Sequence, residues 1–147
     1  EHGRLDAPLP VGDQGGTVGT AITALQLVAT DANGDALTFS ATGLPAGLVI
    51  SATGLISGTP TTAATASVTA TVSDGRGGTD SATFSWTIAA ANVAPVLTNP
   101  GSQSGTVGVA VTPLQLAATD GNAGDTLTFS ATGLPAGLSI TGRKSVV

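Results

Sequence analysis

The chain has 147 residues, of which only 9% are charged, against about 25% in an average soluble protein, and its formal net charge is −5. It contains no Cys, no Met, one His and one Trp, beside 21 Gly and 8 Pro. Disulfides, zinc-thiolate sites, iron–sulfur clusters and cysteine nucleophiles are thereby excluded, His2 has no second histidine to share a metal, and four basic residues against nine acidic ones do not make a nucleic-acid surface.

The chain opens on a segment, residues 1–11, that is apolar at Leu5, Ala7, Leu9 and Val11 with period 2. Pro8 and Pro10 cannot donate ladder hydrogen bonds and confine it to an edge. It reads either as the first strand of its own domain or as a strand donated to another subunit. A second strand is predicted over 22–29, where Leu25, Leu27 and Ala29 share a face. Ala32-Asn33-Gly34-Asp35 then offers a type I′ hairpin turn, since Asn-Gly tolerates positive φ. Leu37, Phe39 and Ala41 alternate with Thr38, Ser40 and Thr42, and the Pro and Gly of Leu44–Leu48 force a bend. After a short strand at Ile56 closed by Gly58-Thr59-Pro60, two longer alternations follow. Ala66, Val68, Ala70 and Val72 line one face, and Ala82, Phe84, Trp86 and Ile88 line the other strand, joined through Asp74-Gly75-Arg76-Gly77-Gly78. Helix formers are scarce and β-branched residues abundant, so helix content should be close to nil. Asn92-Val93-Ala94-Pro95 reads as a linker.

Beyond it the sequence repeats. Residues 37–48 (LTFSATGLPAGL) return unchanged as 127–138, residues 16–31 pair with 105–120, and Asp31–Asp35 pairs with the longer Asp120–Asp125. The counterpart of Ser51–Ile88 does not recur after Ile140. The expected organisation is a complete repeat over 12–91 and an incomplete one over 92–147, in an all-β sandwich with turns at short intervals. Leu114, Leu116, Leu127, Phe129, Leu138 and Ile140 would aim at a core whose cover in the first copy comes from Ile56, Val68–Val72 and Phe84–Ile88. The half copy is therefore not expected to fold alone. Three things could complete it: further chain, the first copy, or strands of a neighbouring subunit, the last giving strand-exchanged filaments. The chain does not begin with Met and shows no signal peptide or apolar run of membrane-spanning length, which reads as a mature product, a fragment or an excised piece without membrane insertion.

Four stretches carry a family resemblance: Asp31–Asp35 with Leu37–Ser40; Gly43–Leu48; Thr53–Pro60; and Val72–Gly75 with Phe84–Ile88 and Asn92–Pro95. In this order they resemble the bacterial putative-Ig repeat, close to the dystroglycan-type cadherin-like domain. The resemblance implies immunoglobulin/cadherin-like β-sandwiches of seven strands, arrayed in long secreted or surface-anchored adhesion proteins. It implies an extracellular or cell-surface location. The expected partners, copies of the chain (head to tail or strand-exchanged) or surface proteins and glycans, follow from the incomplete repeat and the module's setting, not from the resemblance itself.

The residues bear on three chemistries. Asp31, Asn33 and Asp35 supply oxygens in one loop, and Asp74 and Asp80 in another, as a hard cation such as calcium requires. An EF-hand is excluded, because Thr42 stands where its twelfth-position Glu belongs. The family resemblance implies calcium at a domain junction, with Asp31, Asp35, Asp74 and Asn92 as the positions concerned. The same Asp and Asn residues would equally cap tight turns through their own backbone. Carbohydrate binding, the calcium-dependent alternative, would need exposed aromatic platforms, yet Phe39, Phe84, Phe129 and Trp86 fall on apolar strand faces. Catalysis lacks a motif: carboxylates sit in turns or near the N-terminus, and the Gly-x-Ser-x-Gly and phosphate-loop patterns are absent. The reading is a non-catalytic extracellular structural or adhesive module.

Overall fold

The computed structural model describes residues 5–6, 11–142 and 145–146. Thirteen strands and no helix occur among them: β1 (Leu5–Asp6), β2 (Gln14–Thr17), β3 (Leu25–Gln26), β4 (Thr30–Asp31), β5 (Thr38–Thr42), β6 (Leu48–Ile50), β7 (Leu55–Gly58), β8 (Ala64–Ser73), β9 (Thr79–Ala89), β10 (Val96–Leu97), β11 (Ala118–Thr119), β12 (Thr126–Leu127) and β13 (Ser145–Val146). No helix of the described residues is long and apolar enough to cross a membrane. The chain divides into two compact units, residues 1–91 and 92–147.

In the first unit the strict alternation of β8 and β9 builds the principal ladder. The two pair antiparallel over ten residues, from Ala64↔Ile88 to Ser73↔Thr79. β5 joins β8 antiparallel (Thr38↔Ser73 to Thr42↔Thr69), and β2 joins β9 parallel (Gln14↔Trp86 to Thr17↔Ala89), giving the sheet order β2-β9-β8-β5. A second sheet, β3-β7-β6, carries Leu25↔Ile56 and Ile50↔Ile56 across its central strand. Because successive residues point to opposite faces, Val68, Ala70, Phe84, Trp86 and Ile88 turn to one side and meet Leu27, Leu48 and Ile56. The rings of Phe84 and Trp86, two residues apart on that face, lie 6.1 Å between centroids at 46°. Thr and Ser line the opposite face, where the hydroxyl oxygens of Thr65 and Thr87 come within 3.3 Å and those of Thr69 and Thr83 within 3.2 Å. The fold is an all-β sandwich.

Two local expectations are corrected. The predicted strand over 22–29 shrinks to β3, because Gln26 turns its side-chain Nε2 onto the Leu27 and Thr53 carbonyls while Ile22 and Leu27 donate singly to Gly58 and Gly54. Asn33-Gly34 does not close a type I′ hairpin: Gly34 has φ +76°, but among the described residues none other than glycine has positive φ, and a type I′ turn needs it at both central positions. Its flanking strands also have different partners, β4 pairing with β1 and β5 with β8. The bend at Gly47 does depend on glycine, since φ is +92° and a Cβ would collide with the Thr59 carbonyl oxygen. β1 pairs with β4 of its own unit (Leu5↔Asp31), whereas residues 7–10 of the nominated donor segment, Ala7, Pro8, Leu9 and Pro10, lie outside the described residues.

The second unit pairs β10 with β11 and β12 with β13. Of its six expected core positions, Leu127 is buried, Leu116, Phe129 and Ile140 are half-buried, and Leu114 and Leu138 are exposed.

Asp13 was not singled out from the sequence, yet its carboxylate accepts the Ser85 N–H at 3.1 Å just before β2 meets β9. Hydrogen bonds from the Ser85 side chain and backbone hold its carboxyl below the usual aspartate range. A depressed folded pKa means the contribution is present above the unfolded value and disappears as pH falls through the folded one. The Ser85 amide resonance should therefore stay fixed down through the ordinary aspartate range, move only at still lower pH, and not titrate in Asp13→Asn. At the core, Trp86 is 1% exposed and its indole Nε1 has no hydrogen-bond partner. Trp86→Ala should cost about 3–5 kcal/mol in denaturant melts, whereas Trp86→Phe, which deletes the unsatisfied donor, should cost well under half of that.

Candidate metal centre

Two connections converge at one end of the β8–β9 ladder. Asp31 ends β4, Asp35 lies in the connection from β4 to β5, and Asp74 follows the last ladder pair, Ser73↔Thr79. One carboxylate oxygen from each lies within 4.8 Å of the other two, the one such three-carboxylate group among the described residues. Asp74 is buried, and Asp31 and Asp35 are half-buried.

The loops are shaped by their own carboxylates. Asp31 Oδ1 accepts the N–H groups of Asn33 (2.7 Å) and Asp35 (3.1 Å), which folds the connection back on β4. Asp74 Oδ1 accepts the N–H groups of Arg76 (2.7 Å) and Gly78 (2.9 Å), and Asp74 N–H donates to the Gly78 carbonyl at 3.1 Å. This is the turn-capping behaviour that short acidic side chains favour. Gly78 is needed for space, because a Cβ there would collide with Asp74 Oδ2.

Capping leaves part of the arrangement without a role. Asp31 Oδ2 is buried and accepts no hydrogen bond. Burying a carboxylate oxygen unpaired is costly, and three carboxylates this close repel one another. The cation that faces them is Arg76, whose Nε donates to Asp35 Oδ1 at 2.8 Å from a side chain that is 72% exposed. Two oxygens on opposite sides of a calcium ion, each about 2.4 Å from it, stand about 4.8 Å apart, so the three carboxylates span no more than one coordination sphere. An all-oxygen set without sulfur or imidazole suits a hard cation. The donor set is of the kind a hard cation such as calcium takes, and Asp31, Asp35 and Asp74 are the residues that would hold one.

The other residues nominated from the sequence have different surroundings. Asn33 is exposed and contributes its backbone N–H to Asp31. Asp80 stands opposite Val72 in the ladder, outside the three-carboxylate group, with its Oδ1 accepting the Ser81 N–H at 2.8 Å. Asn92 belongs to the second unit, where it lines an open cavity of about 590 Å³ with Leu97, Asp120, Asp125 and Phe129 among others. Arg76 was missed by sequence reasoning, since nothing in a Gly-rich turn announces an ion pair to a distant loop. Phe84 and Trp86 are buried, Phe39 is half-buried against the core, and Phe129 is half-buried in the wall of that cavity.

Comparison with known proteins places the chain. It is 34% identical over 138 residues to the Serine-rich adhesin for platelets of Staphylococcus aureus, an alignment covering 93% of this chain and 10% of that protein, and 6% of a second strain's form. The chain thus spans a tenth or less of the length of these relatives. Among solved structures, human protocadherin-24 EC1-2 superposes with a TM-score of 0.54 at 23% identity over 79% of this chain and 60% of that one, which supports the cadherin-like sandwich. Sidekick-1 immunoglobulin domains 1-4 align with a TM-score of 0.45 at 17% identity over 97% of this chain and 42% of that one. The family model described as Putative Ig domain matches residues 6–89 and 94–146, and the chain belongs to that family.

Proposed function

We propose that the chain is a non-catalytic adhesive and structural module of a cell-surface protein. The observation that carries this reading is the identity to an adhesin over 93% of the chain. The fold is suited to it. The long β8–β9 ladder closes a core on one face and presents an uncharged Thr/Ser face on the other, a surface suited to shallow contact rather than to enclosing a substrate. Partners follow in two kinds, surface proteins or glycans of another cell and further copies of this chain. For the second kind, Val96, Leu97, Leu114 and Leu138 of the second unit are exposed apolar side chains that strands of another copy could cover, the filament-forming arrangement. The full chain immobilised in a flow cell should retain platelets, the cells named for its relative, or soluble copies of itself above an albumin-coated control. Retention of neither overturns the adhesive reading. Light scattering should give masses above the monomer that grow with concentration, and a strictly monomeric mass rules out assembly. If removal of residues 1–11 leaves the assembly unchanged, that segment is not the donor.

A second reading is favoured by the orphaned Asp31 Oδ2: the three-carboxylate cluster holds calcium and stiffens the module. Ligand at one hundred times Kd stabilises the folded state by about 2.7 kcal/mol. After EDTA treatment, calcium chloride should raise Tm by several degrees in the natural chain. Asp74→Asn should abolish the rise and Gly78→Ala should diminish it by displacing the Asp74 carboxylate. A Tm that calcium leaves unmoved removes this reading, and with it the calcium-dependent carbohydrate-binding alternative, for which a glycan array is the direct assay.

A further inference from the structure

We propose that Arg76 is a tethered competitor for the cation at this cluster, so that its guanidinium and a calcium ion exclude one another at Asp35 Oδ1. The inference rests on the calcium reading above and adds a regulatory device to it. Two observations beyond the acidic cluster point to a cation. Asp31 Oδ2 is buried with no hydrogen-bond partner, and a positively charged group already sits against the cluster, with Arg76 Nε 2.8 Å from Asp35 Oδ1.

The geometry makes Arg76 well placed to compete. Its backbone N–H is held by Asp74 Oδ1, so the turn that supplies a metal ligand also supplies the competitor. The side chain is 72% exposed while that of Asp35 is 23% exposed, so the guanidinium leaves into water without disturbing packed neighbours. A divalent ion drawing in Asp35 Oδ1 approaches to about 2.4 Å, and two positive groups cannot share one oxygen at such distances without strong repulsion. Two states result. With no metal, Arg76 supplies one counter-charge to the repelling carboxylates; with metal, the ion supplies two and the guanidinium swings out. Calcium affinity is then set by the difference between these states and is lower than the carboxylates alone would give.

Calorimetric titration of the full chain with calcium chloride, natural against Arg76→Gln, tests this. The variant should bind about two- to fivefold more tightly, the range a partly exposed ion pair commands, and should melt lower than the natural chain in EDTA because it has lost its resident counter-charge. Arg76→Lys should fall between the two. In the natural chain the Arg76 Nε–H resonance should shift on calcium addition as the bond to Asp35 breaks. Equal or weaker binding by Arg76→Gln overturns the competition and leaves the metal centre standing. Binding by neither protein overturns both readings, and an Arg76 resonance that ignores bound calcium overturns the competition alone.

Discussion

Everything in this structure depends on the ladder between β8 and β9. The dependence is visible because the same twelve residues occur twice. In Leu37–Leu48 they meet β8: residues 38–42 form a five-residue strand on it, and Leu48 is 7% exposed. In Leu127–Leu138 no long hairpin stands beside them among the described residues. The counterparts of Thr38–Thr42, residues 128–132, form no strand, β12 (Thr126–Leu127) ends just before them, and Leu138 is 41% exposed. Intrinsic preference is the same in both segments by construction. What differs is a neighbour that offers backbone partners on one edge and Val68, Ala70 and Val72 on one face. β-propensity is mostly a statement about such neighbours, and here the identity of the twelve residues removes intrinsic preference as a variable.

That dependence explains which parts of the fold were legible. Period-2 alternation over 66–72 and 82–88 located β8 and β9 to within a few residues, because both faces of those strands have fixed environments, core on one side and water on the other. The inward placement of Phe84 and Trp86 followed from the same pattern. β2 was illegible: Gln14-Gly15-Gly16-Thr17 alternates nothing, and its place is set by parallel pairing to β9 and by close packing, with the Ile88 side chain 3.1 Å from where a Gly16 Cβ would stand. Asn33-Gly34 misled because turn propensity is local, whereas this turn is decided by Asp31 Oδ1 drawing in two N–H groups.

The candidate site divides along the same line. Its residue types were readable, since short acidic side chains in Gly-rich turns are visible in any sequence. Their grouping was not. Asp74 and Asp80 look equivalent on paper, yet the register pairs Asp80 with Val72 inside the ladder and leaves Asp74 just past its last pair, where the β4–β5 connection also arrives. Asp13 and Arg76 escaped notice for a related reason. Each acts through a partner far away in sequence, Ser85 and Asp35, and such pairings exist only once the strands are in place.

The position of the carboxylates then ties chemistry to folding. Asp31 and Asp35 flank the connection into β5, and Asp74 opens the turn between β8 and β9, so any cation held by all three fastens the outer strand of the sheet to the hairpin it pairs with. The fastening needs the hairpin. In the second unit the first half of the motif recurs, with Asp120 Oδ1 accepting the Asn122 N–H at 2.7 Å as Asp31 accepts that of Asn33, and with Asp125 in the place of Asp35. The counterpart of Asp74 would come from a β8–β9 turn, and none stands there among the described residues. A complete carboxylate set and a complete sandwich are therefore the same condition, since the turn that brings the third ligand is the turn of the strands that bury the core. If the cluster binds calcium as proposed, its affinity would read out whether β8 and β9 are seated. A bound ion would in turn oppose their departure, because removing β8 and β9 would take Asp74 with them and leave two carboxylates, too few for a hard cation.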